Sequence, residues 1–155
     1  MLIDNLVRSP APRLELHLVS EGPTPGTTYL VQPLRCTTIA PGTFYVIGST
    51  ALNATISSFC PGYELLGDGA TDLLQNGTSA SAGDGVVLIR RVIFASVPQD
   101  QLSYWGPVTG WGEGSPATAD RNSAESLQRR PADADTDDNL TDFLRLAPTP
   151  CAPPP

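Results

Sequence analysis

Residues 126–150 read SLQRRPADADTDDNLTDFLRLAPTP, and this stretch contains two short strand patterns separated by an acidic segment. Residues 126–129 alternate polar and apolar side chains, as a half-buried strand does. Pro131 then ends the run, because proline has no backbone donor for a sheet. Residues 143–146 resume the apolar pattern before Pro148. The stretch therefore predicts two strands near the end of the sequence.

The acidic segment between these strands, residues 133–139, holds four aspartates, an asparagine, a threonine and an alanine. Side chains of this kind accept hydrogen bonds from nearby backbone amides and favour turns. The spacing of Asp133, Asp135 and Asp137 also matches the opening of an EF-hand calcium loop. The sixth position of that loop requires glycine, and here it is Asp138. An EF-hand is therefore excluded.

Two interpretations of these carboxylates remain open. In one, Asp135, Asp137 and Asp138 join a backbone carbonyl in a looser calcium site, since calcium prefers oxygen ligands. In the other, the aspartates cap backbone amides and the remaining charge is solvated. We prefer capping, so the sequence assigns no catalytic, cofactor-binding or metal-binding residue.

Composition favours one small all-β domain. Glycine and proline account for 14 and 16 of the 155 residues, about a fifth of the chain against an average of ~12%. Such a composition argues against long helices and suits short strands joined by tight turns. A chain of this length buries about two-thirds of its unfolded surface, which is enough for one core.

The charge distribution narrows the class of partner. The net charge is −7, and all nine basic side chains are arginine. An acidic, lysine-free surface repels phosphate, which argues against nucleic-acid binding. No segment reaches the ~18 apolar residues that a membrane helix requires. Residues 1–12 also lack the basic start and apolar run of a signal peptide.

The 126–150 stretch resembles the closing motif of the lamin tail domain, an immunoglobulin-like β-sandwich of nuclear lamins and of many bacterial secreted or surface proteins. The resemblance lies in the SLQR strand, the DTDDN run at residues 135–139, Asp142-Phe143, and the exit at residues 148–150. Three upstream turns also resemble the family pattern. They are the Glu-Gly turn at residues 112–116, the Gly-Asp turn at residues 83–85 before VVLIR, and the APG turn at residues 39–42 before FYVIG.

The resemblance implies an immunoglobulin-like β-sandwich of about seven short strands at residues 13–147. Residues 1–12 are then a frayed or disordered N-terminus, and residues 148–155 are a Pro-rich tail. The implied function is a non-catalytic interaction module of a bacterial protein, outside the cell or on its surface, with a protein or cell-surface partner. The alternatives are a calcium-dependent adhesion module and an accessory domain that positions a hydrolase. No enzyme activity is expected, because no acid, base or nucleophile converges in the sequence.

Local patterns predict where several side chains lie. Residues 13–18 alternate, so Leu14, Leu16 and Leu18 share a buried face and His17, the single histidine, faces water. Residues 27–32 form the next strand of a hairpin, and residues 43–48 lie deep in the core. In the final strand, Phe143 is expected to be buried and Asp142 to face solvent or a turn.

The cysteines and the aromatic loop each allow two interpretations. Cys36 and Cys60 either close a loop, leaving Cys151 unpaired, or all three remain thiols. In both cases residues 151–155 are expected to form a mobile tail. The aromatic residues of the loop at residues 102–114 form either a carbohydrate or peptide platform or packing against the core. They are Tyr104, Trp105 and Trp111.

Overall fold

A computed structural model describes residues 13–35, 44–56, 63–67, 74, 82–118, 125–129 and 135–152. This part of the chain is mostly β, as the sequence predicts, and no helix in it is long and apolar enough to cross a membrane. The frayed terminus predicted at residues 1–12, the APG turn, Asp133, Cys36 and Cys60 lie outside the described residues. The strands are β1 (Arg13–Ser20), β2 (Thr27–Pro33), β3 (Val46–Gly48), β4 (Tyr63–Leu65), β5 (Asp84–Val92), β6 (Ala95–Tyr104), β7 (Ser126–Arg129) and β8 (Phe143–Leu146), and the helices are α1 (Thr50–Ile56) and α2 (Asn139–Asp142).

The main sheet is antiparallel and has the strand order β2-β1-β5-β6. Strands β1 and β2 form the predicted hairpin, and β5 and β6 form a second one. The two hairpins join along the whole of β1, from the pair Arg13 and Arg91 to the pair Ser20 and Asp84. Strand β1 is therefore a central strand with hydrogen-bonded neighbours on both sides.

Two short strand pairs complete the β structure of the described residues. Strands β3 and β4 run parallel, whereas β7 and β8 run antiparallel with Ser126 opposite Leu146 and Arg129 opposite Phe143. The strands predicted at residues 126–129 and 143–146 are thus confirmed, and they pair with each other. The short helix α2 precedes β8 where the sequence indicated a turn.

Glu64 connects the β3–β4 pair to the main sheet. Its side chain is buried, and it accepts hydrogen bonds from the Gln32 amide at 2.9 Å, the Arg35 backbone N–H at 2.9 Å, and the Tyr45 hydroxyl. Burial opposes ionisation of this carboxyl, but the three hydrogen bonds outweigh it and lower the Glu64 pKa. The carboxylate therefore satisfies donors on both sheets.

Both faces of β1 are covered, which corrects the prediction for His17. Val19 lies on the same face as His17 and is fully buried in a cluster with Val87, Ile89 and Val108. The His17 side chain is only 14% exposed and its Nε2 lies 3.0 Å from the Glu15 carboxylate. The alternation shows which side chains share a face of β1, but it does not show what covers that face. Residues around Val108 cover the face that carries His17.

The prediction that residues 43–48 lie deep in the core is wrong. Of the described part of this segment, Phe44 is 41% exposed, and only Gly48 is buried. Strand β3 is three residues long and pairs with β4 alone, so it is an edge strand rather than a central one. Aromatic and β-branched residues favour edge strands and central strands alike, so their presence in residues 43–48 did not show which kind of strand this segment forms.

Candidate functional site

Asn139, the first residue of α2, is fully buried and joins the end of the chain to β6. Its side-chain oxygen accepts hydrogen bonds from the Ser103 backbone N–H at 2.7 Å and the Ser103 hydroxyl at 3.2 Å. Its side-chain nitrogen donates to the Gln101 carbonyl at 2.8 Å. One amide side chain thus pairs with the outer edge of β6 as a neighbouring strand would.

The Glu-Gly turn packs directly on this helix. The Asn139 N–H donates to the Glu113 carbonyl at 2.9 Å, and the Ser115 N–H donates to the Asp138 carboxylate at 3.3 Å. Gly114 has a φ of +55°, and a Cβ there would lie 2.7 Å from the Asp138 carboxylate. Only glycine accommodates both the conformation and the close approach. We call this set of contacts between residues 112–115 and 138–140 the interlock.

The aspartates of the acidic segment hold the backbone. Asp138 is the N-cap of α2 and accepts a hydrogen bond from the Thr141 N–H at 3.0 Å. The backbone N–H groups of Thr141 and Ser115 lower the pKa of Asp138. Asp135 accepts a hydrogen bond from the Asp137 N–H at 3.3 Å. The interpretation of these carboxylates as caps is confirmed for Asp135 and Asp138.

Asp142 faces a turn, one of the two environments predicted for it, whereas Phe143 is half-buried rather than fully buried as predicted. Asp142 is buried and accepts hydrogen bonds from the Thr136 N–H at 2.9 Å and the Thr136 hydroxyl at 2.7 Å, which lower its pKa. Phe143 is half-buried, with its ring centroid 4.8 Å from the Arg129 guanidinium carbon. Asp142 is buried because its carboxylate accepts the hydrogen bonds of Thr136 in the turn that precedes α2.

Arg129 lies at the centre of three carboxylates. Its guanidinium is 2.6 Å from Asp100, 3.0 Å from Asp135 and 3.6 Å from Asp142. Burial alone lowers the pKa of Arg129, but the negative charges around it outweigh this effect and raise the pKa. The Arg129 guanidinium is therefore held as a cation beside these acids.

A group of carboxylates that the sequence did not indicate lies beside this arginine. Asp100, Glu113 and Asp135 each offer an oxygen, and the three oxygens lie within 4.8 Å of one another. Burial raises the pKa of Glu113, and the charges of Asp100 and Asp135 raise it further. Oxygen ligands of this kind suit calcium, but Arg129 already pairs with Asp100 and Asp135. Asp135 thus lies beside Asp100 and Glu113, whereas the Asp138 carboxylate accepts hydrogen bonds from backbone N–H groups.

An open, mainly apolar pocket of about 480 Å³ lies beside β7. Phe44 and Leu52 form part of it, and Arg129 is the one ionisable side chain among the described residues that line it. The C-terminal segment forms another part, where the Thr149 hydroxyl donates to the Gln128 side-chain oxygen at 3.0 Å. We call this pocket the groove; its lining comprises Phe44, Leu52, Ser126, Gln128, Arg129, Pro148, Thr149, Pro150 and Ala152.

Cys151 forms a disulfide bond, which corrects two predictions. The chain has three cysteines, and the other two, Cys36 and Cys60, lie outside the described residues. Both interpretations of the cysteines are therefore wrong, the Cys36–Cys60 bond with Cys151 unpaired and the set of three thiols. The segment around Cys151 is anchored covalently, so the expectation of a free tail beginning at residue 151 is wrong.

The aromatic loop packs inward and forms no open platform. Trp111 lies against the buried cluster, and its indole N–H donates to the Gly26 carbonyl at 3.1 Å. Tyr104 is buried. Glu21 fixes the same loop by accepting hydrogen bonds from the Thr109 N–H at 2.6 Å and the Thr109 hydroxyl at 2.7 Å. The packing interpretation of Tyr104 and Trp111 is confirmed.

Comparison of the chain with models of protein families, with curated proteins and with solved structures finds no match. The interlock, the ion pairs and the groove are the features of the described residues that bear on function.

Proposed function

We propose that this chain is a non-catalytic interaction module of lamin-tail type, folded as an immunoglobulin-like β-sandwich in a bacterial secreted or surface protein. The observation that carries the proposal is the interlock. Its two halves, the Glu-Gly turn and the DTDDN run, are separate segments of the resemblance, yet Glu113 and Ser115 bond directly to residues 138–140. If these short patterns resembled the family only by chance, there would be no reason to expect the two segments to contact each other.

The use of the acidic side chains supports a binding rather than a catalytic role. Catalysis requires an acid, base or nucleophile positioned in a pocket. Asp138 and Asp142 each accept hydrogen bonds through both carboxylate oxygens. Of the described residues that line the groove, Arg129 alone is ionisable, and it is already paired with acids. Its apolar lining is suited to an apolar side chain of a protein partner.

The disulfide at Cys151 supports a location outside the cytoplasm, because disulfides persist mainly in oxidising compartments. The acidic surface without lysine agrees with a partner other than nucleic acid.

Chemical cross-linking of the purified chain to intact bacterial cells that produce it tests the proposal. The double variant Phe44→Ser and Leu52→Ser removes apolar lining from the groove, at side chains that are 41% and 39% exposed. Leu140→Ser is the matched control, since Leu140 is 48% exposed and lies outside the groove. We expect a cross-linked surface protein with the parent and the control that is lost with the groove variant.

Circular dichroism of the variants must match the parent for this comparison to hold. A partner retained by the groove variant contradicts the assigned surface, and hydrolytic activity of the isolated chain contradicts the non-catalytic role. Two further results separate the alternatives. Loss of the cross-link on chelation of calcium favours a calcium-dependent adhesion module, and a hydrolase as the captured partner favours an accessory domain.

A further inference from the structure

The tip of the β5–β6 hairpin exposes three consecutive large apolar residues. Phe94 is 98% exposed, Ile93 is 53% exposed and Val92 is 40% exposed. Every residue from 90 to 96 is exposed, although neighbouring strand residues point to opposite faces. Neither face of the hairpin end is therefore covered by the part of the fold that the structure describes. We call residues 90–96 the tip.

Turn chemistry does not account for these residues. Val92 pairs with Ala95, so Ile93 and Phe94 are the two central residues of a two-residue turn. Such turns favour positive φ and therefore asparagine, aspartate or glycine, but neither Ile93 nor Phe94 has a positive φ. The turn thus departs from the usual geometry of a two-residue hairpin, and its geometry does not require two large apolar side chains at the exposed end. Departures from local rules concentrate at functional sites.

The charge around the tip is opposite to that of the chain. The chain carries a net charge of −7, yet Arg90 and Arg91 directly precede the apolar residues. Arg13 on β1 lies opposite Arg91. Residues 90–99 include no acidic residue, and Glu15, whose carboxylate lies 3.3 Å from the Arg91 side chain, is the one acid that contacts an arginine of the tip among the described residues. The exposed apolar side chains are thus bordered by positive charge.

We propose that the tip is a membrane-contact site that inserts Phe94 and Ile93 into the interface of an anionic lipid bilayer. The apolar side chains enter the boundary between headgroups and acyl chains, while the arginines remain at the level of the lipid phosphates. A convex tip without a covered face fits a deformable lipid surface better than a shaped protein pocket. This site is separate from the groove and does not depend on the function proposed for it.

Co-sedimentation with lipid vesicles tests this site. The parent is expected to bind vesicles of equal parts phosphatidylcholine and phosphatidylglycerol, to bind phosphatidylcholine alone more weakly, and to dissociate at high salt. Phe94→Ser is expected to lower the partition coefficient about tenfold or more, because it removes the burial of a large apolar side chain. Replacing Arg90 and Arg91 with glutamine is expected to remove the preference for the anionic vesicles.

Val31→Ser is the matched control, since Val31 is 47% exposed on β2 and lies outside the tip. It is expected to bind vesicles as the parent does. Absence of binding to the anionic vesicles, or equal binding by Phe94→Ser and the parent, overturns the proposal. Sedimentation velocity without lipid provides a further readout. Dimers that disappear in Phe94→Ser, with no vesicle binding by the parent, would assign the tip to contact between copies of the chain.

Discussion

Replacement of Asn139 by alanine is expected to lower the free energy of unfolding by about 2–5 kcal/mol. The variant leaves the Ser103 N–H and the Gln101 carbonyl of β6 without their partner in a fully buried position. An unsatisfied buried donor costs more than the hydrogen bond contributed, because the group has lost water as well. Urea denaturation of the parent and the variant measures the change.

Leu140→Ala is the matched control for this experiment, since Leu140 is the next residue of α2 and is 48% exposed. It is expected to change the stability by less than about 0.5 kcal/mol, as surface substitutions usually do. Equal midpoints for Asn139→Ala and the parent would contradict the interlock as the structural centre of the C-terminal segment.

Replacement of Cys151 by serine is expected to lower the stability by about 2–5 kcal/mol, because the disulfide closes a loop of roughly 100 residues in the unfolded chain. Cys151 is the described end of this bond. Only one of Cys36→Ser and Cys60→Ser is expected to reproduce the loss, and that variant identifies the partner. Thermal melting of the three single variants measures the effect.

A reducing agent is the control for the cysteine variants, since it should lower the melting temperature of the parent and leave Cys151→Ser unchanged. Removal of residues 151–155 should destabilise the chain as much as Cys151→Ser does. A parent that melts at the same temperature with and without reductant would show that Cys151 carries no stabilising bond.

The strands were predictable wherever the sequence alternates or a turn residue ends the run. Residues 13–18 alternate, and a turn at residues 22–26 separates them from residues 27–32; the two segments form β1 and β2 almost as predicted. Pro131 and Pro148 bound the patterns of β7 and β8, which pair with each other. These signals come from neighbouring residues, so they can be read from the sequence without knowledge of the fold.

The buried face of each strand and the residues that form the site were not predictable, because both depend on contacts between separate segments of the chain. Asp142 is buried because Thr136 and Arg129 satisfy its carboxylate. Asp100 and Glu113 join Asp135 only after β6 and the Glu-Gly turn have met the acidic segment. No spacing in the sequence indicates these contacts. The Gly-Glu-Gly pattern was visible, but its contact with Asp138 was not.

The central claim is that the carboxylates of the acidic segment stabilise the fold through backbone N–H groups and Arg129 rather than through a calcium ion, and a calcium titration of the melting temperature tests it most directly. A bound calcium ion stabilises the folded state by ~2.7 kcal/mol when the free calcium concentration is a hundred times the dissociation constant. This raises the melting temperature by several degrees. We predict that the parent melts at the same temperature in millimolar calcium and in a chelator, because Asp135 pairs with Arg129 and Asp138 caps α2. A rise with calcium in the parent that disappears when Asp135 and Asp137 are both changed to asparagine would contradict the claim.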